Sequence, residues 1–178
     1  MSSDLGAPDG GSSSGASPGG VLPGGALMEI AALNGACASA IDAGRLEDWP
    51  GFFHDQCLYK VTTADNHEKG YQAGLIYADS RAMLADRIAA LREANIYERQ
   101  RYRHILGLPL IAGQADGVVS AETSFLVVRT MRDGQMMVFA AGVYLDKLSR
   151  DAAGAWRYAE RIVVCDSQRF DTLLAIPL

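Results

Sequence analysis

"VVSAETSFLVVRTMRDGQMMVFAAGVYLDKL", residues 118–148, decides the fold. It reads as two long strands, 118–131 and 136–148, joined through "RDGQ" at 132–135. An Asp-Gly pair between β-rich runs is a strong hairpin signal, because glycine takes the positive φ that the tight turn requires. On one side of this hairpin, residues 100–111 predict another strand. On the other, a loop holding Gly154 leads to a last strand from Trp156 to Cys165.

Upstream the pattern changes to helical spacing. Ile30, Leu33, Cys37 and Ile41 predict an amphipathic helix over Met28 to Ala43. "RLEDWPGFFH" (45–54) predicts a short second helix broken near Pro50. "CLYKVTT" (57–63) predicts a strand, and residues 64–78 read as irregular and turn-rich. Asp79 or Ser80 can cap a third helix with the core stripe Met83, Leu84, Ile88 and Leu91.

Helices, one strand, a helix and then a meander of long antiparallel strands make an α+β chain, with helices on one face of a curved, mainly antiparallel sheet. The expected architecture is a cone-shaped roll of the nuclear-transport-factor-2-like kind with N-terminal helices. No internal repeat is present.

Gly, Ser and Pro supply eight, six and three of the first 25 residues. Such a stretch buries too little apolar area to offset its ordering entropy. Residues 1–25 are expected to be a flexible tail, and 26–178 a single domain.

With 178 residues, 49% of them hydrophobic, the chain can build one substantial core. A net charge of -5 argues against a nucleic-acid coat or a polybasic membrane anchor. No apolar run reaches membrane-spanning length, and the N-terminus lacks the basic and apolar regions of a secretory signal. Cys37, Cys57 and Cys165 are odd in number and far apart, which fits a reducing cytoplasm.

Motifs that carry chemistry are few. None of His54, His67 and His104 follows a cysteine as Cys-x-His or Cys-x-x-His, the pairs an iron–sulfur cluster with histidine ligands needs, and "HEKGY" (67–71) lacks the second histidine of a helical zinc site. No nucleophile elbow, phosphate loop or dinucleotide fingerprint occurs. Cys165, ending "RIVVC", reads as a small buried hydrophobe.

The segment "YERQRYRHILG" (97–107) needs a separate reading. Strand alternation puts Tyr102, His104 and Leu106 on one face and Arg101, Arg103 and Ile105 on the other. An inward His104 could meet Tyr59, Asp166 or Tyr144 in a pocket and act as a base. The alternative, preferred reading makes it a hydrogen-bonded structural residue. Arg99, Arg101 and Arg103 form either a solvated face or a subunit interface, where the planar guanidinium suits carboxylate partners.

Three segments carry a resemblance: "DWPGFFHDQCLYKVTTADN" (48–66), "REANIYERQRYRHILGLP" (92–109) and "ERIVVCDSQRFDTLLAIPL" (160–178). Together with Arg101-x-Arg103-His104 and the last-strand set Arg161, Val163 and Asp166, they resemble the small (β) subunit of aromatic-ring-hydroxylating dioxygenases, from about Glu29 to Leu178. The tail is not part of that pattern. The resemblance implies a non-catalytic β subunit that trimerises and scaffolds α subunits in an α3β3 hexamer. It implies no cofactor in this chain, with a Rieske [2Fe-2S] cluster and mononuclear Fe(II) in the α subunit. Electrons would come from NADH through a separate reductase, and the complex would dihydroxylate an aromatic carboxylate with O2. The competing reading is a stand-alone dehydratase or isomerase, or a small-ligand-binding protein of the same fold, using His104.

Overall fold

The computed structural model describes residues 25–72, 74–94, 100–167, 174 and 176–178. Apart from Gly25, the predicted tail lies outside them.

The chain opens with α1 (Ala26–Asp42), whose stripe Ile30, Cys37 and Ile41 is buried. Asn34 lies in the same stripe and is also buried. The expected second helix is only a 3-10 turn, Trp49–Phe52. Pro50 sits at its start, where its missing N–H costs nothing, so the proline begins the turn rather than breaking it. β1 (Phe53–Thr63) follows and starts four residues earlier than its alternation suggests.

Residues 64–78 are more ordered than predicted. They contain α2 (Ala64–Glu68), capped by the Thr63 hydroxyl accepting from the Asn66 N–H, and the start of β2 (Ile76–Ser80). Local patterning misses both because five-residue elements are set by their neighbours. α3 (Arg81–Ala94) follows, with the Ser80 hydroxyl accepting from the Met83 N–H. Leu84 and Ile88 are buried and Leu91 packs at the core edge, but Met83 is exposed and outside the stripe.

The predicted strand 100–111 is two strands, β3 (Arg101–Leu106) and β4 (Leu110–Ala115). Gly107 and Pro109 separate them, and both then pair with β5 (Val118–Thr130), one after the other. β6 (Met136–Arg150) and β7 (Trp156–Cys165) complete the sheet. Its order is β2-β1-β7-β6-β5-β3, with β4 also on β5. All pairings are antiparallel except β1 with β7, so the sheet is mixed at that one place.

Register shifts interrupt β1, the β5–β6 ladder at Val127/Val128 and the β6–β7 ladder at Lys147/Leu148. Such bulges bend long strands, and here they let the sheet curl around α1. The inner face holds Tyr59, Val61, Phe125, Val127, Tyr144, Tyr158 and Val163. Trp49 meets Phe53 and Tyr59 edge-on at 5.5 and 4.9 Å, and Phe125 stacks on Tyr144 at 4.4 Å. Leu178 reaches the same core, where its N–H donates to the Tyr59 hydroxyl at 3.1 Å.

At Gly142, opposite Cys165, β6 lies tight against β7. A Cβ there would sit 2.0 Å from the Val164 carbonyl oxygen, a backbone atom that cannot swing aside. Gly142→Ala is therefore expected to cost about 1–3 kcal/mol or more in urea unfolding. A change within experimental error would contradict the tight ladder.

Candidate functional site

Among the described residues, buried polar side chains gather inside the curled sheet and at its edge.

The inner group joins α1 to three strands. Cross-strand register places Asp146 opposite Arg161 on the inward face. Arg161 donates from Nε and Nη2 to the two Asp146 oxygens at 2.8 and 2.7 Å. Nη2 also donates to Asn34 Oδ1 at 2.9 Å, which accepts a second bond from the Tyr158 hydroxyl. Asn34 Nδ2 donates to the Thr123 hydroxyl at 3.1 Å. The guanidinium is sandwiched by the Tyr158 and Tyr144 rings at 3.9 and 4.3 Å.

Both partners of the ion pair are buried. Burial works most strongly against the Arg161 charge, but the Asp146 carboxylate, through its charge and hydrogen bond, together with Tyr158 and Cys37 outweighs it and pushes the group well above its ordinary value. Burial pushes the Tyr144 and Tyr158 hydroxyls well above their ordinary value. The Arg161, Asp146 and Asn34 side chains are matched to one another, so the network offers no free base. It lies between α1 and the inner face of the sheet.

The edge constellation is built on β3. As alternation predicts, Tyr102 and His104 are buried while Arg101, Arg103 and Ile105 are exposed. His104 Nδ1 donates to Asp42 Oδ1 at 2.6 Å, and the His104 backbone N–H donates to the same carboxylate at 3.0 and 3.2 Å. Arg103 adds a looser contact at 3.7 Å. The imidazole is 1% exposed, and Nε2 is buried without a hydrogen-bond partner. Clefts of about 520 and 420 Å³ flank Asp42; the first holds Arg92, Gln100 and Arg101, the second Ser39 and Leu106.

His104 therefore meets Asp42, and not Tyr59, Asp166 or Tyr144. Tyr59 is bound to Leu178, and Tyr144 covers Arg161. Asp166 is exposed beyond the end of β7, where its N–H donates to the Ala141 carbonyl. Tyr102 stacks on Phe139 at 5.1 Å and accepts from Gln100. Arg99 lies outside the described residues.

Asp42 was missed, although a signal existed. An acidic residue in the last turn of a helix opposes the helix dipole and needs an outside partner. Asn34 and Arg161 carry the same kind of signal, being polar at positions that the 3.6 and 2.0 periods turn inward.

Among the described residues a metal finds no fit, because no three His, Cys, Asp or Glu side chains converge. Burial pushes the Cys37 and Cys57 thiols up to about 11 and Cys165 up to about 12, so none is a ready thiolate ligand or nucleophile.

Residues 37–172 match the family model described as the ring hydroxylating beta subunit. The chain is 54% identical over 151 residues to a terephthalate 1,2-dioxygenase terminal oxygenase component subunit beta from Comamonas sp, covering 85% of this chain and 97% of that one. It is 37% identical to an anthranilate 1,2-dioxygenase small subunit from Burkholderia cepacia, covering 85% and 93%. A solved beta subunit from Novosphingobium aromaticivorans, assigned to the aromatic-ring-hydroxylating dioxygenases, superposes with a TM-score of 0.78 at 38% identity, covering 86% and 97%.

Proposed function

Since the chain belongs to the family of ring-hydroxylating beta subunits, we propose that it scaffolds the α subunits of a terephthalate 1,2-dioxygenase. The observation that carries the substrate is the 54% identity to the Comamonas beta subunit across 97% of that chain.

In this reading the complex is an α3β3 hexamer, with this chain trimerising through its single domain, residues 26–178. The catalytic iron and the Rieske cluster reside in α, because the cysteines and histidines here do not fit them. Electrons arrive from NADH through a reductase, and the complex dihydroxylates the aromatic ring with O2. The free buried thiols fit a cytoplasmic setting.

The edge dyad supports the competing reading, an acid–base enzyme using His104, only in its Nε2, which lacks a partner. That atom is enclosed by the fold, and a base must reach the proton it removes. The buried Arg161–Asp146 pair, held in place by its own partners, favours a scaffold.

The test is an oxygen-uptake assay, with NADH and the reductase supplied, of the chain purified with and without its α subunit. Terephthalate-dependent uptake by the complex, and none by the chain alone, is expected. Turnover of an enolisable or hydroxylated substrate by the chain alone, lost in His104→Ala, would instead establish the acid–base reading.

A further inference from the structure

β3 lies at an edge of the sheet, and α1 runs beside it in place of another strand. A cleft of about 520 Å³ opens where the end of α1 meets this edge. That volume falls within the roughly 300–1,000 Å³ of ordinary small-molecule sites. Because the cleft sits at a strand edge, side chains from both faces of β3 border it.

Its lining has two parts. Ile41, Leu46, Tyr102 and Ile176 are buried and supply an apolar, partly aromatic floor. Arg92, Arg101 and Arg103 supply guanidinium groups. The carboxylates nearby are already engaged. Glu47 accepts from Arg92 at 2.7 and 3.0 Å, and Asp42 accepts from His104 Nδ1 at 2.6 Å. Arg103 reaches Asp42 only at 3.7 Å, with its side chain 75% exposed. Arg101 is exposed and has no ion-pair partner among the described residues. Cationic charge is therefore left over at this cleft, in a chain whose net charge is -5.

An apolar floor with guanidinium groups above it suits a flat ring that carries a carboxylate. The ring leaves water against Tyr102 and the aliphatic side chains. The planar guanidinium offers two parallel N–H donors to the carboxylate. An uncharged ring would leave the arginines unused, and a small aliphatic acid would leave the floor bare. We propose that this cleft binds an aromatic carboxylate, with Arg101 as its main anion-binding residue. The ligand class follows from the cleft's own chemistry, so the site does not rest on the dioxygenase reading.

The test is methyl NMR of the full chain labelled at its isoleucines, because Ile41 and Ile176 line the cleft and report on it directly. Benzoate and terephthalate are titrated, then benzamide, which keeps the ring without the charge, and acetate, which keeps the charge without the ring. Benzoate and terephthalate are expected to shift both signals saturably, with a Kd on the order of 1 mM or tighter. Benzamide and acetate should bind at least ~tenfold more weakly. Arg101→Ala replaces an exposed side chain and should weaken benzoate binding at least ~tenfold. Arg101→Lys keeps the charge but not the fork, and should fall between the two. Circular dichroism melts check that both variants fold. No saturation by about 20 mM benzoate overturns the site. So do shifts confined to isoleucines outside the cleft, benzamide binding as tight as benzoate, or an Arg101→Ala chain that binds like the wild type.

The titration is repeated on the labelled chain assembled with an unlabelled α subunit, where ligand held by α leaves the Ile41 and Ile176 signals unmoved. Shifts that persist uphold the site. Shifts lost on assembly assign the cleft to α and overturn the proposal. Cleft binding by a chain that joins no α upholds the site and removes the scaffold reading instead.

Discussion

Replacing Arg161 by alanine is expected to lower the stability of the isolated chain by about 3–5 kcal/mol, the usual effect of removing one partner from a buried ion pair. Asp146 would keep its charge at a fully buried position, and Asn34 would lose a donor. The Tyr158 and Tyr144 rings would line the space left between them. A guanidinium chloride titration followed by circular dichroism measures the shift in midpoint. A control separates charge from shape: Arg161→Met combined with Asp146→Leu removes both charges and keeps the volume. That double variant should recover most of the loss, because apolar replacement of a whole buried pair is often neutral or better. A single variant within about 1 kcal/mol of the wild type would contradict the account of the buried pair.

Asp42→Ala is expected to cost about 2–4 kcal/mol, because it strips acceptors from two buried donors at once. The His104 Nδ1–H and backbone N–H both end on that carboxylate. The second donor lies on β3, which has β5 on one side and α1 along the other. Losing the carboxylate therefore also exposes a strand edge, so the variant should aggregate sooner on heating. Asp42→Asn keeps one acceptor and should fall between the two. His104→Ala, which removes the ring but not the backbone donor, should cost less than Asp42→Ala. An Asp42→Ala protein as stable as the wild type would show that the carboxylate does not hold this edge.

Legibility followed the strength of the local signal. The β5–β6 hairpin was readable because its turn chemistry and strand patterns agree: strands at 118–131 and 136–148 became Val118–Thr130 and Met136–Arg150. β7 came out at its predicted bounds, Trp156–Cys165. The split of 100–111 depended on two separate partners along β5, which is tertiary information.

For the site, the alternation in β3 correctly separated Tyr102 and His104 from Arg101 and Arg103. It could not name Asp42, which is 62 residues away in sequence. The Arg161–Asp146 pair was hidden for a related reason. Asp146 sits beside Lys147 and Arg161 beside Glu160, so local sequence offers other partners, and only the β6–β7 register brings Asp146 and Arg161 face to face.

The central claim is that this chain works by holding α subunits, and native mass measurement of the co-expressed pair tests it most directly. A single assembly with equal numbers of this chain and its α subunit is the expected result. This chain running free of an intact, soluble α subunit would contradict it.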